Sequence, residues 1–128
     1  MLAKIDAASL QGIEALNVEV EVHVGYSDTC VVIVGLPDAA VRESRDRVGS
    51  ALENSGFKFP KGRTTINLAP ADLKKEGPSF DLPIAMGMLA ASEQMETSLL
   101  PHYMIVGELA LTGAVRPVKG ILPIALRA

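Results

Sequence analysis

The 128-residue chain is long enough for one domain with a single hydrophobic core and too short for two. Apolar residues make up 48% of it but aromatic residues only 4%, so the core must be built from Val, Ile, Leu, Ala and Met. Twelve Lys and Arg against 15 Asp and Glu give a net charge of −3, which excludes a global positive field for collecting nucleic-acid phosphates. Any contact with DNA would have to be local.

The sequence lacks the signals for secretion and for insertion into a membrane. The first residues lack the apolar centre of a signal peptide, and no stretch approaches the roughly 20 apolar residues of a membrane span. The single cysteine, Cys30, can form neither an internal disulfide nor a thiolate metal cluster, which suits a reducing compartment. We therefore expect a cytoplasmic protein with no membrane partner. Residues 120–128 end inside an apolar pattern without a helix-stop signal, so we expect more protein to follow.

The first part of the chain predicts a β-hairpin and a buried strand. Residues 2–10 alternate loosely and are followed by the turn signal Gln11-Gly12, while Leu16–Val24 alternates apolar and polar side chains almost without fault. Cys30–Val34 is an unbroken run of mainly β-branched residues, which is typical of a strand covered on both faces. We therefore expect at least one buried central strand, at Cys30–Val34.

The segment after Gly35 predicts a helix that reaches about Asn54. Pro37 suits an early helical position, where its missing N–H is not needed, and Gly56 supplies a stop signal. Apolar residues recur at helical spacing between them, and five charged residues are predicted to face solvent. These five are Arg42, Glu43, Arg45, Asp46 and Arg47.

The second half of the chain predicts three strands and two helices. In chain order they are a strand at Arg63–Leu68, a nearly all-apolar and therefore buried helix at Leu82–Met95, strands at Tyr103–Leu109 and Ala114–Val118 joined by a turn at Thr112-Gly113, and a helix that starts in the tail. Strands and helices mix along the chain. We therefore predict a mixed α/β fold, of the α+β kind, with about three helices.

The inventory for cofactor chemistry is thin. His23, Cys30 and His102 lie far apart in the sequence, with no pair at the spacing of metal ligands. The turns at Gly35 and Gly62 are isolated and do not form a G-x-x-x-x-G-K-[ST] phosphate loop. We therefore expect no metal and no cofactor in these residues, and any ATP site must lie elsewhere in a parent protein.

One constellation carries possible chemistry, Glu76-Gly77-Pro78-Ser79-Phe80-Asp81, which places a hydroxyl at the mouth of the predicted buried helix. A nucleophile there would gain from the helix dipole and from free N–H groups. Serine without a base is a poor nucleophile, however, and the more common role of Ser79 or Asp81 in this position is to cap the helix.

Two blocks resemble the proteolytic domain of Lon protease and occur in the same order. They are Gly77-Pro78-Ser79 before an apolar helix, and Gly107-Glu108-Leu109-Ala110-Leu111-Thr112-Gly113-Ala114-Val115-Arg116-Pro117. The resemblance implies that Ser79 occupies the position of the nucleophile and that the lysine base falls on Leu122. Because leucine cannot accept a proton, we expect Ser79 to be a relict position and the domain alone not to be an enzyme. Lys119 is the nearest substitute base.

A longer resemblance covers nearly the whole chain. The residues 34–48 (VGLPDAAVRESRDRV) and 66–85 (INLAPADLKKEGPSFDLPIA) are similar to the amino-terminal domain of the ComM/YifB family of magnesium-chelatase-like proteins. That family implies a fold like the second domain of ribosomal protein S5, with residues 1–128 as a single Lon-like domain at the start of a longer AAA+ ATPase. It also implies hexameric rings, ATP and Mg²⁺ in the ATPase module, and DNA processing such as branch migration in natural transformation.

Three functional hypotheses follow. The first is a non-catalytic accessory domain that helps to assemble the ring or contacts DNA or a partner. The second is a serine-lysine peptidase that uses Ser79 with Lys119 or another lysine. The third is a nucleic-acid-binding module that uses the basic residues of the first helix and the loop from Lys58 to Arg63, although acidic neighbours make a solvated helix face the simpler interpretation.

Overall fold

A computed structural model of the chain describes residues 1–11, 13–71, 73, 75, 78–118 and 121–128. Three parts of the predictions fall outside these residues. They are the first hairpin's Gly12, the Glu76-Gly77 pair before Ser79, and Lys119-Gly120.

Four strands form one mixed sheet. They are β1 (Leu2–Gln11), β2 (Glu14–Val24), β3 (Cys30–Val34) and β4 (Arg63–Ala69), in the order β1-β2-β4-β3. β1 and β2 form the predicted antiparallel hairpin, β4 is antiparallel to β2, and β3 is parallel to β4. The predicted mixed sheet and its first strands are therefore confirmed.

The alternation in β2 decides which face of the sheet is covered. Val18, Val20 and Val22 are completely buried, whereas the residues between them are partly exposed. The register places Ile5 beside Val20 and Ile66 beside Val22, so that β1, β2 and β4 build one continuous apolar face. That face carries the main core of the protein.

The prediction of a buried central strand at Cys30–Val34 is wrong. Within the described part of the chain β3 pairs only with β4, so it is an edge strand. Of its residues only Ile33 is buried, while Cys30 and Val34 are exposed. Ile33 pairs with Ile66 and shares its covered face, and its neighbours in the strand point to the other side. A continuous apolar run cannot reveal that only one face is covered.

The first helix, α1 (Asp38–Asn54), is confirmed with its predicted stop. Pro37 directly precedes the first helical residue. At the other end Gly56 adopts a φ of 84°, and the N–H of Phe57 donates to the Leu52 carbonyl at 3.0 Å. This is a Schellman ending, which requires the left-handed conformation that glycine supplies without strain.

The second helix, α2 (Asp81–Ala91), is buried as predicted and packs on β1 and β2. It ends earlier than the predicted Leu82–Met95. The Ser92 hydroxyl donates to the Met88 carbonyl at 2.6 Å, and Glu93 takes a φ of 61°, which turns the chain out of the helix.

The last part of the sheet is shorter than predicted. In place of strands at Tyr103–Leu109 and Ala114–Val118, a two-residue ribbon forms from β5 (Glu108–Leu109) and β6 (Val115–Arg116), and one isolated bridge joins Met104 to Asp6. The predicted turn between them is confirmed, with a φ of 97° at Gly113. The backbone before β5 forms hydrogen bonds with the start of α2 instead of extending a ladder.

The predicted tail helix, α3 (Ile121–Arg127), packs on the second face of the sheet. Its Ile124 joins Ala8 and Ala15 in a small separate cluster. The fold is thus a mixed α+β sheet with helices α1 and α2 towards the main core and α3 over part of the other face. No helix in the described ranges is long and apolar enough to cross a membrane.

A glycine in α2 permits the close approach of this helix to the sheet. A Cβ at Gly87 would lie 2.5 Å from Val22 Cγ2, a distance that side chains do not tolerate. We predict that Gly87→Ala lowers the free energy of unfolding by about 1–3 kcal/mol through overpacking. Urea denaturation measures the change.

Gly49 in α1 is the matched control for that substitution. Its Cβ would meet only the Phe59 ring, at an ordinary 3.6 Å. Gly49→Ala should therefore raise stability by about 0.5–1 kcal/mol, because alanine is the better helix former. Equal effects of the two substitutions would contradict the packing explanation.

Candidate functional site

Ser79 lies in a single 3-10 turn, Pro78–Phe80, directly before α2. Its carbonyl accepts the N–H of Gly107 at 2.9 Å, and the Gly107 carbonyl accepts the N–H of Leu82 at 3.0 Å. These two bonds hold the start of α2 beside the β5–β6 ribbon. The two blocks on which the Lon resemblance rests therefore meet in the structure.

A cleft of about 380 Å³ opens at this meeting point. The described residues that line it are Pro78, Ser79, Glu108, Pro117 and Val118. Ser79 is half-buried, and its hydroxyl forms no hydrogen bond with any of the described residues. Glu108 is the ionisable residue among those that line the cleft, and its carboxylate faces Arg116 at 3.6 Å.

The interpretation that Ser79 or Asp81 caps the buried helix is wrong. The N-cap position of α2 is Phe80, and no side chain forms a capping bond there. Asp81 is the first helical residue, and its carboxylate turns into the protein. The local sequence pattern resembles that of a cap, but tertiary partners take the carboxylate.

The position that the Lon resemblance gives to the base lies in α3, where Leu122 is exposed. The substitute base, Lys119, falls outside the described residues. The sequence interpretation missed another lysine, Lys75, which is buried and donates to the carbonyl oxygens of Pro70 and Leu73. The relict character of Ser79 stays a prediction.

The centre of the site is the completely buried carboxylate of Asp81. Oδ2 accepts the Nε–H of Arg47 at 2.6 Å and the N–H of Leu109 at 3.2 Å. Oδ1 accepts the Ser44 hydroxyl at 2.9 Å and the Nη2–H of Arg47 at 3.1 Å. The bidentate guanidinium and two further donors compensate for the loss of water around the charge.

The sequence interpretation placed Arg47 in solvent, and this is wrong. Its side chain is about three-quarters buried against Asp81. A signal was present, because Ser44 and Arg47 continue the apolar stripe of α1 that contains Val41, Val48 and Ala51. Polar residues on a covered helix face need buried partners, and an aspartate at the start of an all-apolar helix is a suitable one.

The electrostatics of the cluster favour the charged pair. The hydrogen bond to Asp81 raises the pKa of Arg47, and the negative charges of Asp81, Glu108 and Glu43 raise it further, against an opposing effect of burial. Glu43 lies one helical turn away, with its carboxylate 3.8 Å from the guanidinium. Arg47 therefore stays protonated throughout the pH range in which proteins are studied.

The two glycine turns have packing roles. A Cβ at Gly35 would lie 2.8 Å from the Leu68 carbonyl oxygen, and one at Gly62 would lie 2.2 Å from the Gly25 carbonyl oxygen. Close backbone approach thus accounts for both glycines without a phosphate ligand. Among the described residues no group of three or more His, Cys, Asp or Glu could hold a metal ion. The absence of metals and cofactors from the whole chain stays a prediction.

The fold and the cleft define a mixed α+β domain in which a serine-lined cleft lies at the start of a buried helix. Residues 18–128 match the family described as subunit ChlI of Mg-chelatase, and the chain belongs to this family. The protein is therefore a magnesium-chelatase-like protein, and the resemblance to ComM and YifB is confirmed by direct comparison.

Relatives of this chain share about half of its residues. It is 50% identical over 127 residues to competence protein ComM of Haemophilus influenzae and to protein YifB of Salmonella typhimurium, and 49% identical to YifB of Escherichia coli. Each alignment covers 99% of this chain and 25% of the relative. The chain thus spans about a quarter of the length of these relatives.

Removal of the guanidinium should be severe, because it leaves the buried carboxylate of Asp81 without its countercharge. We predict that Arg47→Ala lowers the free energy of unfolding by about 3–5 kcal/mol. Arg45→Ala removes an exposed guanidinium whose stem lines a pocket with Ile33 and Val48, and it should lower that free energy by no more than about 1 kcal/mol. Arg47→Lys, which keeps the charge but loses the bidentate geometry, should fall between them. Urea denaturation provides the measurement.

The pH dependence of that difference has a defined sign. A folded-state pKa raised above the ordinary arginine value contributes stability that is complete below that ordinary value and lost only above it. The Arg47 contribution should therefore stay constant from neutral pH to about pH 11. A loss for Arg47→Ala no larger than that for Arg45→Ala would show that the pair is not required.

Proposed function

We propose that the chain is a non-catalytic accessory domain, Lon-like in fold, of a longer magnesium-chelatase-like AAA+ ATPase of the ComM/YifB type. In this proposal the domain works next to the AAA+ module of the same protein. That module would bind ATP and Mg²⁺ and assemble as a homo-hexamer, and the assembly would act on DNA, for example in branch migration during natural transformation. The cytoplasm is the proposed location.

The observation that carries the proposal is the 50% identity to competence protein ComM over nearly the whole of this chain and a quarter of that protein. Competence is the ability of a cell to take up DNA, so the name of this relative supports a role in DNA processing. The difference in length supports the view that the ATPase machinery lies in another part of the parent. The packed glycine turns, which leave no phosphate cradle at Gly35 or Gly62, are consistent with this division of labour.

The geometry at Ser79 supports a role without catalysis. Its hydroxyl has no hydrogen-bond partner among the described residues, and serine needs a base to become a nucleophile. The carboxylate in the cleft belongs to Glu108. It faces Arg116, and its negative charge helps to raise the pKa of Arg47. Both of these interactions are structural. The position of the Lon base carries Leu122, which cannot take a proton.

A serine-lysine peptidase is the second candidate, and one observation favours it. The Ser79 hydroxyl lines an open cleft of about 380 Å³ instead of bonding within the fold, as an attacking group must. The peptidase requires a lysine amine within hydrogen-bonding reach of that hydroxyl, and Lys119 is the candidate.

Ser79→Ala distinguishes the two candidates. For the accessory domain we predict a change in unfolding free energy within about 0.5 kcal/mol, because the hydroxyl has no partner to lose, and no change in any activity. Urea denaturation measures the stability. Labelling with a serine-directed fluorophosphonate and incubation with an unfolded protein substrate measure the activity.

Lys119→Ala is the matched control in the activity assays. Covalent labelling of the wild-type chain at Ser79, with substrate cleavage that is lost in both variants, would establish the peptidase and refute the accessory role.

Nucleotide binding tests the division of labour between the two modules. We predict that the 128-residue chain shows no micromolar affinity for Mg-ATP in calorimetric titration, because its glycine turns are filled by neighbouring backbone. The full-length gene product should hydrolyse ATP and move a branch point in synthetic four-way DNA junctions. Micromolar binding by the short chain, or an inactive full-length protein, would contradict the proposed function.

A further inference from the structure

Tyr26 stands in the loop between β2 and β3 with its side chain completely exposed, at 105% of the reference accessibility. Tyrosine has a large apolar ring that usually finds cover in a folded protein. Exposed tyrosines on supported loops are typical of binding surfaces, where the ring contributes contact area at a small entropic cost. Its surroundings indicate which kind of ligand would cover it.

Backbone hydrogen bonds fix the loop that carries Tyr26 to the residues at the start of β4. The N–H of Gly25 donates to the Arg63 carbonyl at 2.9 Å, and the N–H of Cys30 donates to the Gly62 carbonyl at 3.3 Å. Gly62, at a φ of 93°, approaches Gly25 so closely that no Cβ would fit between them. The backbone of the loop is therefore fixed on both sides of Tyr26.

Tyr26 belongs to the lining of two open clefts, together with Met1, Val24 and Gly25. One, of about 360 Å³, is lined by Tyr26 together with His23, Arg63 and Thr65. The other, of about 320 Å³, is lined by Tyr26 together with Lys61 and Glu93. The two clefts therefore meet at Tyr26 and its neighbours, and each of them has a cation in its wall.

Basic residues are concentrated in the segment that leads into β4. Lys58, Lys61 and Arg63 are all exposed, and within the described ranges none of them forms an ion pair or a side-chain hydrogen bond. The backbone of Lys58 is held by the Gln94 side chain through bonds of 2.9 and 2.7 Å. Acidic residues are also present: Asp28 lies on the Tyr26 loop, Glu93 lines one of the two clefts, and Glu21 lies on the same polar face of β2 as His23. Lys61 and Arg63 still place a cation in the wall of each cleft, in a chain whose net charge is −3.

We propose that this surface, the Tyr26 face (Tyr26 with His23, Lys58, Lys61 and Arg63), binds single-stranded nucleic acid. An unpaired base stacks on the Tyr26 ring, and the flanking phosphates contact Arg63 on one side and Lys61 on the other. The ring selects a single strand, because the bases of a duplex are already stacked on each other. The few cations make the contact short and dependent on salt. The inference rests on the proposed DNA-processing function for its biological setting, and on these residues for its chemistry.

The test uses the 128-residue chain, which has its own hydrophobic core, and fluorescein-labelled 20-nucleotide oligothymidylate and oligouridylate in anisotropy titrations at low salt. We expect binding that weakens as salt rises. Tyr26→Ala should weaken it about tenfold, and Tyr26→Phe should leave it within about twofold, because the stacking ring remains. Arg63→Ala should weaken binding and reduce the salt slope by about one.

Two exposed residues elsewhere in the protein serve as matched controls. Tyr103→Ala removes another exposed tyrosine, and Arg45→Ala removes another exposed arginine. Both should leave oligonucleotide affinity unchanged. The polymer that binds more tightly identifies DNA or RNA as the natural ligand, and Tyr26-dependent binding of either supports the proposal.

Four results would overturn it. They are absence of binding to both oligonucleotides, equal weakening by Tyr26→Ala and Tyr103→Ala, duplex binding of equal strength that ignores Tyr26, and loss of hexamer assembly in full-length Tyr26→Ala with oligonucleotide binding intact. The last result would identify a protein-docking surface.

Failure of this inference is distinguishable from failure of the proposed function. If full-length Tyr26→Ala moves DNA junctions normally and binds single strands as before, the proposal for the Tyr26 face is refuted and the proposed function is not. If the short chain shows Tyr26-dependent binding but the full-length protein hydrolyses no ATP, the ATPase assignment is refuted and the proposal for the Tyr26 face stands.

Discussion

A completely buried carboxylate must find partners for both oxygens, and the way in which Asp81 does so organises this domain. Its donors come from α1, through Ser44 and Arg47, and from the backbone of β5, through Leu109. Asp81 itself begins α2. One charged group therefore joins two helices and the short ribbon. Because each donor offsets part of the free-energy cost of burying the Asp81 carboxylate, the three elements depend on each other.

The same corner explains the character of the Ser79 cleft. The turn before α2 is fixed by backbone bonds to Gly107, and Asp81 points inwards, so the neighbouring hydroxyl faces the cleft. The carboxylate of Glu108, which lines the same cleft, is close to Arg116, and its charge raises the pKa of Arg47. The segment that resembles a protease nucleophile in sequence thus joins α2 to the β5–β6 ribbon in this structure.

The Tyr26 face uses other elements than this junction. It is built from the end of β2, the β2–β3 loop and the segment that leads into β4, and a backbone hydrogen bond between Gly25 and Arg63 joins them. The Asp81 cluster is built from α1, α2 and β5. Substitutions on the exposed face therefore leave the buried junction intact. Two regions that share no residues can be changed independently by substitution.

Local periodicity was sufficient for much of the fold. The strict alternation of β2, the all-apolar α2, the glycine stop of α1 and the turn at Gly113 each follow from short-range rules, and the long sequence blocks gave the family. The edge position of β3, the early end of α2 and the shortened ribbon needed the tertiary structure. So did the partner of Arg47, because Asp81 lies 34 residues away in the chain. Periodicity reports which face of an element is covered, but the order of strands and the partner of a buried charge depend on segments that only folding brings together.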